Sequence, residues 1–162
     1  HFDEAPQMRT PEIAASILEH FDDYDVIIAN FANADMVGHS GNFQAAIQAV
    51  EAIDTALGKI VDAVLKRGGM ALITADHGNI ELKRNILSGE KLTKHSINLV
   101  PLYLVGKNLN RSSPREEKQI AQIKAGAYGI LTDIAPTIIE LLGLKKPLEM
   151  TGQSLLPALF KR

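Results

Sequence analysis

Two stretches of the chain pair carboxylates with imidazoles in a pattern that suits a divalent cation. Asp35 and His39 stand four residues apart in the polar run 33–41, and Asp76 and His77 are adjacent in Thr74-Ala75-Asp76-His77-Gly78-Asn79. A further histidine, His95, lies just ahead of an apolar run. Carboxylate oxygen with imidazole nitrogen and no thiolate is a ligand set for Mn2+, Zn2+, Mg2+ or Fe2+, and the mixture favours Mn2+ or Zn2+. Taken singly, each pair is equally ordinary turn or cap chemistry. A site requires the three loops to converge, so the question becomes which elements carry them.

The elements predicted around these loops are those of a parallel sheet. Thr10-Pro11-Glu12 is a helix start, with a hydroxyl to cap, a proline at the first helical position and an acid suited to the dipole. Ile13, Ala14, Ile17, Leu18 and Phe21 continue it at helical spacing, and His20 serves its C-terminal end. Residues 24–31 (YDVIIANF) read as a strand buried on both faces, followed by a Gly-containing loop at 33–41. Residues 43–66 carry a continuous apolar stripe through Phe43, Ile47, Val50, Ile53, Leu57 and Val64, opposed by a polar face, and predict a long helix. Residues 70–74 (MALIT) follow as a second strand, giving strand, helix, strand: the βαβ unit of a parallel sheet. A mobile stretch at 81–93 leads to His95 and a third strand at 99–105. Residues 107–124, rich in charge, Ser and Gln, read as a surface excursion with a short helix at 116–123. Thr132-Asp133 starts a helix through Leu142, ended by Gly143. In a parallel sheet the loops after the strands meet at one edge, which brings Asp35, His39, Asp76, His77 and His95 together. Asp54 falls inside the apolar stripe of the long helix. A carboxylate there needs a buried partner, and the two accounts are a backbone hydrogen bond or support to a metal-binding loop from behind its ligands.

Composition narrows the function classes. The 162 residues are 46% apolar and 22% charged, an ordinary globular balance. Seventeen Lys and Arg against nineteen Asp and Glu leave a formal charge of −2, without the basic surplus that nucleic-acid binding needs. No apolar run approaches the roughly 20 residues of a membrane span, and residues 1–10 lack a signal-peptide pattern. With no cysteine, disulfides, thiolate zinc sites and a Cys nucleophile are excluded. The reading is therefore a cytoplasmic protein with no nucleic-acid or membrane partner. The chain opens on His1 rather than Met, and is expected to be processed or part of something longer.

Asn30-Phe31-Ala32-Asn33-Ala34-Asp35-Met36-Val37-Gly38-His39-Ser40-Gly41, with Thr74 to Asn79 and His95-Ser96-Ile97-Asn98-Leu99-Val100-Pro101, closely resembles the cofactor-independent (2,3-bisphosphoglycerate-independent) phosphoglycerate mutases of bacteria and plants. The Ala-Asp-His-Gly turn is shared with phosphopentomutases. Asp133-Ile134-Ala135-Pro136-Thr137 and Met150-Thr151-Gly152-Gln153-Ser154-Leu155-Leu156 resemble the wider alkaline phosphatase superfamily. The resemblance runs over nearly the whole chain.

That resemblance implies an α/β fold, an alkaline-phosphatase-like three-layer sandwich whose mostly parallel sheet is flanked by helices, represented by its C-terminal part. Residues 1–162 would then be one piece of a phosphatase-like metal-binding domain, with N-terminal strands and an inserted substrate domain outside it. It implies two Mn2+ ions, replaceable by Mg2+, Zn2+ or Co2+. Carried over by position, Asp35, His39 and His95 would hold one ion, and Asp76 and His77 would supply part of the second site. The implied reaction interconverts 3-phosphoglycerate and 2-phosphoglycerate, a glycolytic and gluconeogenic step, through a phosphoserine. The family's serine lies in an N-terminal portion; Ser40 matches no nucleophile position, so the chain alone is expected to be inactive and its full-length protein a monomer. The competing readings are a phosphopentomutase or phosphatase-like hydrolase, and a non-catalytic metal-binding or interaction module.

Overall fold

A computed structural model describes residues 1–85, 87–109 and 113–160. These fall into two compact units, residues 1–110 and 111–162.

In the first unit, α1 (Thr10–Glu19) begins with the expected proline in its first turn and Glu12 against the dipole. The 33–41 run, expected as loop, contains a short helix, α2 (Asn33–Gly38). The long helix, α3 (Phe43–Lys66), has the expected bounds. Asn42 caps it, its Oδ1 accepting from the Ala45 N–H at 3.2 Å. Gly68, with φ of +71°, turns the chain out of it through a left-handed conformation. Next to that turn, the Arg67 guanidinium bonds both carboxylate oxygens of Asp22, at 2.7 and 3.0 Å, and lies over the Phe21 ring.

The sheet departs from expectation. Among the described residues it has two strands, β1 (Met70–Thr74) and β2 (Leu102–Gly106), paired antiparallel from Met70↔Gly106 to Thr74↔Leu102. The third predicted strand thus starts three residues later than its apolar run. Residues 24–31 form no strand and have no ladder partner, and Tyr24, Val26, Ile27 and Ile28 are exposed. An apolar, β-branched run fits a pleated surface, but only a neighbouring backbone makes it a strand. The parallel pairing expected across α3 is therefore absent from the described residues.

α1 and α2 pack against α3. The buried cluster joins Val37 of α2 to Ala45, Ala46 and Ala49 of α3, with Ile80 against it. Alanines on that face let the helices approach closely, and Asn33 pins the arrangement: its buried Nδ2 donates to the carbonyls of Pro6 and Ala49, at 3.2 and 2.9 Å. Residues 81–93, expected to be mobile, are tied by an isolated Arg84↔Lys91 bridge and by Leu92 N–H to the Lys83 carbonyl at 3.0 Å.

In the second unit, α4 (Glu117–Ala125) carries a capping box between Glu116 and Gln119 and matches the helix expected at 116–123. Residues 110–112 of the expected surface excursion lie outside the described residues. A 3-10 turn at Leu131–Asp133 leads into α5 (Ile134–Leu141), and α6 (Leu156–Leu159) follows. Asp133 accepts from the N–H groups of Ile130 and Gln153, at 3.0 and 2.8 Å. Thr137, fully buried, donates to the Asp133 carbonyl and accepts from the Leu155 N–H. No helix of the described residues is long and apolar enough to cross a membrane.

Candidate metal centre

α2 presents Asp35 and His39 one helical turn apart, so both side chains leave the same face. The third side chain arrives from 56 residues further along the chain by a backbone device. Ser96 N–H donates to the Gly78 carbonyl at 2.7 Å, an isolated antiparallel bridge that lays the His95 loop against the loop after β1. The Glu81 carboxylate reinforces it, accepting from Ser96 Oγ, from Asn98 Nδ2 at 2.9 Å and from the Asn79 N–H at 2.7 Å. Burial alone would raise the Glu81 pKa, but these donors hold it below the ordinary carboxylate value.

Among the described residues, Asp35, His39 and His95 form the one group of three that offers ligand atoms to a common point. His39 Nε2 and His95 Nε2 are 3.1 Å apart, and each faces Asp35 Oδ1, at 3.4 and 3.2 Å. Ligands about 2.1 Å from a common ion are separated by roughly 3.0 Å in octahedral and 3.4 Å in tetrahedral geometry, so a triangle of these edges has the size of one coordination face. The imidazole of His39 is fixed for this role. Its Nδ1 donates to the Thr93 carbonyl at 2.6 Å, leaving Nε2 as a lone pair aimed at the cluster. For Asp35, burial favours the neutral acid, yet the hydrogen bond from Asn79 and the nearby histidines outweigh it and hold the pKa low. An ionised carboxylate beside two imidazoles, one of them with its Nε2 lone pair free, fits a divalent cation by donor chemistry as well as by size.

The other two predicted ligands are not members of this triangle. Asp76 is 85% exposed at its side chain, 3.7 Å from His77 Nε2. The His77 ring stacks on His95, centroids 3.7 Å apart, and its Nδ1 is buried without a hydrogen-bond partner. Asp54 is a correction. It is exposed on α3 and makes no side-chain hydrogen bond among the described residues, because much of the apolar stripe around it, including Ile47 and Val50, is itself exposed; the desolvation cost that called for a buried partner does not arise.

Two side chains behind the triangle were not foreseen. Asn79 donates from Nδ2 to Asp35 Oδ1 at 2.5 Å and to the Asp35 carbonyl at 3.2 Å. Lys83 donates to Asn79 Oδ1 and, at 3.0 Å, to the Gly38 carbonyl. Both are buried, Asn79 at 4% and Lys83 at 5% exposure. Burial pushes the Lys83 pKa down, opposed by the charges of Glu81 and Asp35. A lysine four residues after Asn79 was the available signal, but nothing in sequence distinguishes it from a solvated one.

The comparisons agree with a metal centre. A family model described as "Metalloenzyme superfamily" matches residues 1–146. A 2,3-bisphosphoglycerate-independent phosphoglycerate mutase of Pseudomonas putida is 46% identical over 157 residues, 96% of this chain and 28% of that protein. One from Pseudomonas fluorescens is likewise 46% identical over the same shares. A crystal structure of Leishmania mexicana phosphoglycerate mutase, described as at low cobalt concentration, is similar with a TM-score of 0.74 and 31% identity, over 94% of this chain and 29% of that one. The chain spans less than a third of the length of the relatives it matches.

Proposed function

The chain belongs to the metalloenzyme superfamily, and from that membership we propose that it is the C-terminal, metal-holding part of a cofactor-independent phosphoglycerate mutase. The complete protein interconverts 3-phosphoglycerate and 2-phosphoglycerate through a phosphoserine whose serine lies outside these 162 residues. The observation that carries this reading is the Asp35, His39 and His95 triangle, built from two separate sequence motifs at coordination spacing. Identity near 46% to proteins of that name along 96% of the chain supports the substrate assignment.

In this reading Asp35, His39 and His95 hold one divalent ion, Mn2+ by preference. Asp76 and His77 contribute to a second, completed from elsewhere in the protein; the exposed Asp76 carboxylate and the uncommitted His77 Nδ1 are the donors that support this. Bound there, such ions neutralise charge on the transferring phosphoryl group and lower the pKa of an attacking hydroxyl. The residues of this chain supply position. Thr93 fixes the His39 tautomer, and Glu81 locks the His95 loop to the His77 loop.

The fold belongs to the same proposal. The chain is part of an alkaline-phosphatase-like protein, and residues 24–31 gain their ladder from strands outside this chain, which accounts for an apolar segment with Ile28 86% exposed. The protein is a cytoplasmic monomer of glycolysis and gluconeogenesis. The test is a coupled assay of the complete polypeptide containing this chain, with 3-phosphoglycerate, Mn2+ and no bisphosphoglycerate. Activity that disappears in Asp35→Ala and His95→Ala supports the proposal. Activity on pentose phosphates or simple phosphate esters alone replaces it with another member of the superfamily.

A further inference from the structure

We infer that Asn79 and Lys83 form a buried positioning pair that sets how Asp35 presents its carboxylate to the metal. The inference rests on the assignment of Asp35 as a ligand and adds two residues to it.

Donor and acceptor counts fix the orientation of the Asn79 amide. A lysine ammonium only donates, so the group of Asn79 that faces Lys83 must be its carbonyl oxygen. That fixes the amide the other way round for Asp35, with the NH2 toward the carboxylate and toward the Asp35 carbonyl. The ammonium and the two Asp35 acceptors thus hold the amide from opposite ends, and without the ammonium only Asp35 resists the flip that sets oxygen against oxygen there.

Burial makes the arrangement costly enough to need a role. Lys83 pairs with no carboxylate among the described residues, and its ammonium is satisfied by two neutral oxygens, of Asn79 and Gly38. A charge placed out of water in this way is expensive. A methionine of similar length would fill the same space without that cost. The Gly38 carbonyl also lies on α2, the helix that carries Asp35 and ends at His39, so one ammonium holds the ligand helix and the amide that orients its carboxylate. Asn79 Nδ2 is also 3.5 Å from His39 Nε2, which places the amide beside two corners of the triangle.

The test is Mn2+ binding by the complete polypeptide, read by titration calorimetry and by the Mn2+ electron paramagnetic resonance spectrum. Lys83→Met and Asn79→Leu are each expected to weaken binding about tenfold or more and to alter the spectrum, with Lys83→Arg recovering most of the affinity because it returns a donor to Asn79. Wild-type affinity and spectrum in both Lys83→Met and Asn79→Leu would overturn the inference, provided Asp35→Ala still loses binding. Unchanged binding in Asp35→Ala would instead overturn the ligand assignment itself. Thermal unfolding checks each variant. If neither folds, a crystal structure of the unsubstituted Mn2+ protein decides: an Asn79 amide on the metal-bound Asp35 oxygen supports the pair, and a water in its place overturns it.

Discussion

Gly38 and Asn79 touch so closely that a Cβ on Gly38 would fall 2.8 Å from Asn79 Oδ1 and 2.9 Å from its Cγ. The two residues belong to different motifs, one on the ligand helix and one in the loop after β1, and their contact is what lets the amide reach Asp35.

Gly38→Ala should therefore weaken Mn2+ binding about tenfold in the complete polypeptide by displacing Asn79. Helix propensity works the other way, since alanine is better than glycine inside a helix by about 1 kcal/mol. Calorimetry together with circular dichroism checks this: lost affinity with undiminished helix content is the expected result. Unchanged affinity would mean the amide can yield without disturbing the ligand.

Asn42→Ala removes the side-chain acceptor at the start of α3. The expected loss is about 1 kcal/mol of stability, measured by urea denaturation.

Thr137→Val keeps the volume of a fully buried side chain while deleting its donor to the Asp133 carbonyl and its acceptor for the Leu155 N–H. The lost partners should cost about 1–3 kcal/mol, again by denaturation.

Asp133 gives a pH dependence. The N–H groups of Ile130 and Gln153 lower its pKa below the ordinary carboxylate value. Its contribution is therefore present above the unfolded pKa, near 4, and is lost as pH falls through the depressed folded value. Asp133→Asn should flatten this acid limb of the stability curve in proportion. An identical acid limb in the variant would show that the carboxylate is not the responsive group.

How much of this was legible in the sequence follows from the range of each interaction. α3 and β1 were read to the residue because the apolar periodicity of one and the short apolar run of the other are local signals. Asp35, His39 and His95 were legible as residue types in motifs. Their meeting point depends on the Gly78↔Ser96 bridge, which no local signal announces. Residues 24–31 have strand chemistry without strand pairing, because a ladder belongs to two segments and the sequence pattern describes one. Asp54 was misjudged for a related reason: an apolar stripe indicates the face a helix can bury, and only packing decides whether it is buried. Lys83 was missed because a buried lysine and a solvated one look alike until a neighbour such as Asn79 is placed beside it.

The most direct test of the metal assignment is anomalous diffraction at the manganese edge from crystals of the complete polypeptide grown with Mn2+. The expected result is a peak about 2.0–2.2 Å from a carboxylate oxygen of Asp35 and from Nε2 of both His39 and His95. A manganese peak bound elsewhere, with these three side chains left to bond one another, would contradict it.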